Sequence, residues 1–564
     1  MPGDTAICRK WILDGVKDGS LPVEVLDEAV RNVLTLVEQY VRPHPDDCDF
    51  EENDRLACEI AEDSAVLFKN DGILPLDEKE ALFVCGDLFE KMRYQGAGSS
   101  MINPTKLTTP KAAFDATGVR YAYARGYAEN STTTNAALLR EALEKAKQYQ
   151  KVLVFAGLTD YVESEGCDRE DMRLPENQLA LIDALINAGK QVVVVLFGGS
   201  PVELPFAEKV SAILNMYLPG QSGGRACANL LFGNANPSGR LAETWPLRYE
   251  DVPFGKDFGK SENEIYKESV FVGYRYYTTA KKQVRYPFGY GLSYTNFTWS
   301  DMQMSEEGDR FTISCRVKNT GTRDGAEVVQ LYVSAPESKI YKPLRELRAF
   351  QKVRLAAGEE KEVSLTVNKD ELRYFDVQRR GWVLEGGEYR FQLCSDAETV
   401  VLEQAVTLDG EHSAPYPEDV LKVYQDASFE GLTDEVFEQM SGQHIPPLPP
   451  RTPITLESRF SNLEKAGFMG KILHSAVLSV ATKQMKEAKK LPEGKERDNK
   501  IKGAMFMKRI LESNSVITMS MSAGTNCPYN FAQGFVELAN GHLFKGIQCF
   551  CTKIQVPKLP KEKK

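Results

Sequence analysis

The chain has 564 residues, 42% hydrophobic and 26% charged, with 28 Pro and 42 Gly. That length exceeds one hydrophobic core, and the composition excludes a collagen-like repeat, a wholly disordered chain and a disulfide-dense miniprotein. From Thr455 onward 19 Lys and Arg face 9 Asp and Glu, while the preceding 454 residues carry 50 basic and 71 acidic side chains.

An acidic body argues against nucleic acid as a partner, because phosphate contacts need a basic face. The basic tail is most simply solvated or docked on the chain's own acidic surface. The longest apolar run, near Gln191–Phe197, falls far short of the ~20 residues of a membrane helix. No charged stretch leading into an apolar one follows Met1, so neither a membrane partner nor secretion is expected. Eleven cysteines stand singly apart from Cys549-Phe-Cys551, which points to a reducing, cytoplasmic setting. His44, His412, His444, His474 and His542 are far apart, without HExxH or CxxC, so no metal and no cofactor is expected.

Residues 1–48 read as helical. Leu26, Val30, Val33, Leu34 and Val37 recur at helical spacing until Arg42-Pro-His-Pro45 stops the pattern. That piece is too small to cover its own stripe and reads as the end of something larger. Over 49–293, apolar runs rich in β-formers (Leu82–Cys85, Val152–Phe155, Val192–Leu196, Ala212–Met216) alternate with helical segments. One helix opens at Pro175, presents Leu179, Ile182, Leu185 and Ile186, and stops before Gly189. Such alternation predicts an α/β domain with a mainly parallel sheet covered on both faces.

Over 294–410 the period becomes two: Phe311, Ile313, Cys315 and Val317 alternate with polar residues, Asn319-Thr-Gly321 turns, and Val328–Val333 returns. Further runs at Glu362–Val367 and Tyr389–Leu393, with Gly386-Gly387 as a turn, predict an all-β sandwich. Residues 411–454 read as a Pro-rich linker, and 455–564 as a helical tail with Phe468, Ile472, Ala476 and Val477 on one face.

The chemistry concentrates after the run Val152–Phe155. Glu163, Glu165 and Asp168 stand within six residues beside Arg169, where ligand sites of parallel sheets lie. Carboxylates held close push one pKa upward, which suits a proton donor. A solvated acidic loop is the alternative that spacing leaves open.

Glu163-Ser-Glu-Gly-Cys-Asp-Arg169, followed by Leu174-Pro175 and Gln178, resembles the acid/base loop of glycoside hydrolase family 3. Other segments resemble that family in order: Ser64–Asn70, Leu74–Leu76, Gln95–Ser100, Asn103-Pro104, Gly199–Glu203, Pro219–Gln221, Asn236–Arg240, Glu243–Pro246 and Tyr286–Ser293. The sandwich, with Pro343–Leu347 and Phe350–Val353, resembles the family's fibronectin-III-like domain. The resemblance covers roughly residues 1–408.

It implies a β-glucosidase-like hydrolase that acts on terminal β-linked sugars of oligosaccharides or glycosides, with Glu165 as catalytic acid/base. Ser99 and Ser100, in a loop at the site's mouth, and Glu163 and Arg169 are the implied substrate contacts. Met101 stands where relatives often carry His or Arg, which bears on substrate choice. Gly96-Ala-Gly98 is no dinucleotide fingerprint, because position 101 is Met.

Retaining members use two carboxyls ~5 Å apart. The nucleophile is an Asp, usually followed by Trp, on a barrel that normally precedes the α/β domain. Met1-Pro-Gly3 and residues 8–48 resemble that barrel's end, and no barrel pattern follows. Trp11, Trp245, Trp299 and Trp382 follow Lys, Thr, Thr and Gly, so the chain holds no Asp-Trp pair. The expectation is an inactive isolated chain that supplies the acid/base and not the nucleophile. The chain reads as the carboxyl-terminal part of a complete enzyme or as one whose barrel is a separate chain, and a homo-oligomer is left open as a further partner class. The rival function is a non-catalytic carbohydrate-binding or scaffold protein.

Overall fold

Strands that read as unbroken apolar runs need cover on both faces, and the structure provides it. This computed structural model describes residues 5–41, 48–166, 168–259, 263–411, 414–447, 453–492, 495–523 and 527–552. Met1-Pro-Gly3, the Arg42–Pro45 stop, Cys167, His412 and the centre of the Pro-rich run, 448–452, lie outside the described residues. Two compact units form: residues 50–163 with 168–448, and residues 1–49 with 164–167 and 449–564.

In the larger unit, β1 (Val66–Asn70), β2 (Leu82–Cys85), β3 (Tyr121–Ala124), β4 (Lys151–Gly157), β5 (Gln191–Phe197) and β6 (Ala212–Asn215) form one sheet in the order β1-β6-β5-β4-β2-β3. All neighbours are parallel except β1, which runs antiparallel to β6. Residues Val192–Phe197 of β5 and Val152–Gly157 of β4 are buried without a break. The helices Glu176–Asn187 and Gly223–Phe232 are among those that cover the sheet, with Leu181, Ile182, Leu185, Leu230 and Leu231 in its core. β1 and β3 carry no run that stood out in the sequence. Lys69 and Asn70 end β1 half-buried, and β3 alternates Tyr and Ala.

β7 (Trp245–Pro246) and β8 (Val284–Tyr286) pair antiparallel, with Trp245 and Tyr286 in the core of the sheet. The sandwich sets β9 (Phe297–Glu307), β10 (Arg310–Asn319) and β13 (Glu360–Asn368) against β11 (Gly325–Ser334), β12 (Glu346–Leu355), β16 (Gly387–Cys394) and β17 (Val400–Leu408). A hairpin of β14 (Tyr374–Asp376) and β15 (Gly381–Val383) stands beside it. β10 shows the anticipated alternation, with Phe311, Ile313, Cys315 and Val317 all buried. Arg240 joins Glu327 at 2.6 Å, and Asn236 accepts from Tyr294 N–H at 2.8 Å while donating to the Asp324 carbonyl at 2.9 Å, tying sandwich to sheet.

Residues 411–454 are not simply a linker. Helices Glu418–Tyr424 and Asp434–Ser441 pack Val420, Tyr424 and Met440 against Phe271, Tyr276 and Tyr277. Proline crowds only the last part of that stretch, and the aromatic partners lie more than a hundred residues earlier in the chain.

In the smaller unit, helix Val23–Tyr40 has no buried residue, and its Val33 and Leu34 stay 61% and 60% exposed. Helix Thr5–Asp18 buries Ile7 and Cys8, and Trp11 meets Tyr529 edge-on at 5.2 Å. The tail is helical, and most of the apolar face noted in the sequence is not the buried one. In helix Gly467–Ala488, Phe468, Ile472 and Ala476 face solvent, whereas Gly470, His474, Ala481 and Ala488 are buried and Val477 packs partly against the core. Close approach decides the face: a Cβ on Gly470 would stand 2.2 Å from the Leu463 carbonyl oxygen, so small residues turn inward.

Candidate active site

Parallel strands end together, so the loops that follow them share one edge. After β2, β4, β5 and β6 those loops carry Arg93, Glu163 and Arg169, Ser200, and Tyr217. The edge is tight. Gly157 closes β4 at φ +148, and a Cβ there would lie 1.8 Å from the Phe197 carbonyl oxygen. Gln178, 1% exposed, clamps that last peptide: it accepts from Gly157 N–H at 2.8 Å and donates to the Gly157 carbonyl at 2.9 Å.

Arg93 is the buried hub, its side chain 4% exposed. Its guanidinium meets Glu163 at 2.9 Å and Asp160 at 3.2 Å, and donates to the carbonyls of Leu158 at 2.9 Å and Glu163 at 3.0 Å. The Glu163 carboxylate also accepts from Gly199 N–H at 2.9 Å and from the Ser200 hydroxyl. Glu163 therefore spends its carboxylate on joining the loops that follow β2, β4 and β5. A guanidinium with two carboxylates and two carbonyls around it fixes geometry in the way charge-assisted bonds do.

Glu243 is the carboxyl in this cluster pushed up to about 7. Burial is the largest cause and the Glu163 charge adds to it, while the Arg169 guanidinium and the nearby Tyr217 hydroxyl pull the other way. Burial also draws the Arg169 guanidinium below its ordinary value, although its Nη2 donates to the Pro201 carbonyl at 2.8 Å. Tyr217 sits at φ +53, a conformation that costs energy for a non-glycine residue. Its buried hydroxyl lies beside Trp245 and the Glu243 carboxyl, and Arg169 Nη1 is buried without a hydrogen-bond partner among the described residues. A carboxyl with its pKa raised to about 7, beside a guanidinium with a spare N–H, can hold a polar ligand and move a proton.

Of the residues singled out in the sequence, Glu163 and Arg169 meet in this cluster. Ser99 and Ser100 are exposed on the loop after β2, whose neck Gln95 closes by accepting from Ile102 N–H at 3.0 Å and donating to its carbonyl at 3.2 Å. Ser164, Glu165 and Gly166 group with the smaller unit. There Arg509 donates to the Ser164 hydroxyl at 2.8 Å, Ile510 stands against Gly166, and Glu165 is exposed. Arg93, Asp160, Tyr217 and Glu243 were not singled out. Glu243 did carry a signal, the segment Glu243-Thr-Trp-Pro246, whereas Arg93 carried none.

Residues 65–294 match the glycosyl hydrolase family 3 C-terminal domain, and residues 327–397 match a fibronectin type III-like domain. Thermostable beta-glucosidase B of Acetivibrio thermocellus is 38% identical over 420 residues, 72% of this chain and 56% of that protein. The exo-alpha-(1->6)-L-arabinopyranosidase of Bifidobacterium longum is 36% identical over 416 residues, 71% of this chain and 55% of that protein. Among solved structures, the Bifidobacterium adolescentis GH3 beta-glucosidase superposes with a TM-score of 0.69 at 34% identity, covering 75% of this chain and 64% of that one. The chain spans about half the length of the curated relatives it matches. The sheet, the sandwich that follows it and these likenesses agree in order and extent, and the chain belongs to glycoside hydrolase family 3.

Proposed function

We propose that this chain supplies the acid/base half of a retaining β-glycosidase acting on terminal β-linked sugars of oligosaccharides or glycosides. Glu165 is the residue assigned to proton transfer. Protonated, it donates to the glycosidic oxygen as the C1–O bond breaks and a nucleophilic Asp bonds to C1. Ionised, it then takes a proton from the water that cleaves the glycosyl ester. The nucleophile belongs to a barrel that these 564 residues do not contain, carried on the same polypeptide or on a separate chain. Ser99, Ser100 and Arg169 are the proposed contacts to sugar hydroxyls, and Glu163, held by Arg93, positions the loop. What supports this reading most is the place of the motif Glu163–Arg169, in the loop that leaves the carboxyl end of β4, an interior strand of the sheet.

The test is turnover of nitrophenyl β-glucosides by the 564-residue protein, alone and with a relative's barrel supplied. Alone it should release no nitrophenol, because without the nucleophile the covalent route is closed. With the barrel, Glu165→Ala should lose most activity on poor leaving groups, and azide should restore the second step. Robust turnover by the chain alone refutes the division of labour. Harmless loss of Glu165, with Glu163→Gln abolishing turnover, refutes the assignment.

A further inference from the structure

The sandwich carries a second concave site. A cavity of about 360 Å³ opens where the β14–β15 hairpin meets the end of β11 and the start of β12. Its rim holds two exposed aromatic side chains, Trp382 at 65% and Phe375 at 48% exposure. They face each other directly across the hairpin and meet edge-to-face at 5.7 Å. Leaving large apolar side chains in water forgoes the gain of burying them, so a pair of aromatics at the mouth of a cavity marks a surface for binding.

The charges around the cavity specify the ligand further. Lys342 pairs with Glu385 at 2.9 Å, Arg348 with Glu346 at 2.7 Å, and Arg373 with Asp370 at 2.7 Å. The Lys342 ammonium also lies over the Tyr374 and Tyr389 rings, at 5.2 Å and 5.7 Å. Each cation thus has its counter-ion, and the site offers an anion no unmatched charge. What remains is an aromatic wall with a rim of fixed polar edges, including an Arg348 Nε that lacks a hydrogen-bond partner. A neutral pyranose fits that description, since its C–H face packs on aromatic rings and its hydroxyls accept and donate around the edge. The volume lies toward the lower end of the ~300–1,000 Å³ range for small-molecule sites.

We propose that this cleft is a saccharide-binding site, built from residues other than those of the acid/base loop, that holds a neutral β-linked oligosaccharide against Trp382 and Phe375. The choice of a sugar rests on the glycosidase reading. The two fail separately, because binding here is read without turnover and by variants outside that loop.

The probe is cellotetraose, titrated into the 564-residue protein by calorimetry and by tryptophan fluorescence. Trp382 is more exposed than Trp11 at 44% or Trp245 at 2%, so contact with it should quench or shift emission. Saturable binding with a Kd on the order of 1 mM is expected, weakened about tenfold in Trp382→Ala and less in Trp382→Phe. Phe375→Ala should weaken it as well. Trp382→Ala should melt as the parent does, since the side chain it removes is largely in water. Three results overturn the proposal: no saturable heat up to about 20 mM sugar, equal affinity in parent and both aromatic variants, or preferential binding of oligogalacturonate, which would require an unmatched positive charge.

Discussion

Glu243→Gln separates the charge of the carboxyl from its shape. In the folded chain this group is pushed from its ordinary 4.5 to about 7, chiefly by burial and then by the Glu163 charge. Between those two values the folded protein still holds the proton and the unfolded chain has released it, so stability declines as pH rises through the window. The decline is complete above about pH 7, where both states are ionised and the folded one bears a poorly solvated charge. At about 1.4 kcal/mol per tenfold change, the full effect is somewhat more than 3 kcal/mol, and residual solvent contact at this half-buried site reduces it to about 2. Glutamine keeps the size and stays neutral. The variant should match the parent near pH 4.5 and exceed it by about 2 kcal/mol at pH 8. For a domain of this size that is a rise of roughly 4–8 °C in Tm. Thermal unfolding from pH 4.5 to 8 measures it, with buried Trp245 two residues away as an intrinsic reporter. Parallel Tm–pH curves for parent and variant would refute the assignment of the raised group to Glu243.

Arg93→Ala removes the cation paired with the carboxylates of Glu163 and Asp160, which are 19% and 21% exposed, and should cost about 3–5 kcal/mol in urea unfolding; a loss below 1 kcal/mol would mean that the loops are held otherwise. Gly157→Ala puts a methyl group 1.8 Å from the Phe197 carbonyl oxygen and should yield little soluble folded protein, judged by circular dichroism of the purified fraction. Helix Val23–Tyr40 buries nothing, so trypsin should cut at Arg31 before any site in the sheet; mass spectrometry showing Arg31 intact after the sheet is cleaved would show that this helix is covered in solution.

Patterns that a few neighbouring residues carry were legible in the sequence. The runs Leu82–Cys85, Val152–Phe155 and Val192–Leu196 became strands because four or more consecutive apolar β-formers have no amphipathic alternative. Pro175 and Gly189 bracketed their helix because one presets φ and the other takes a left-handed turn, φ +70. The buried face of the tail was not legible because a helix apolar on several sides offers more than one stripe. The choice fell to small residues at Gly470 and Ala481, which the neighbouring segments can approach closely.

The sequence by itself determined the classes of the domains, their order and the place of the Glu163–Arg169 segment after β4, since each depends on local periodicity or a contiguous motif. Only the tertiary structure decided what the loops do to one another. Arg93 and Glu163 stand 70 residues apart, and Glu243 comes later still. Their meeting depends on which strands neighbour which, and periodicity within one segment carries no record of that. The Glu243 proton and the Trp382–Phe375 cleft have the same origin. Burial and confinement are properties of the assembled fold, because the desolvation that raises a carboxyl's pKa, or the wall that shapes a cavity, comes from residues distant in the chain.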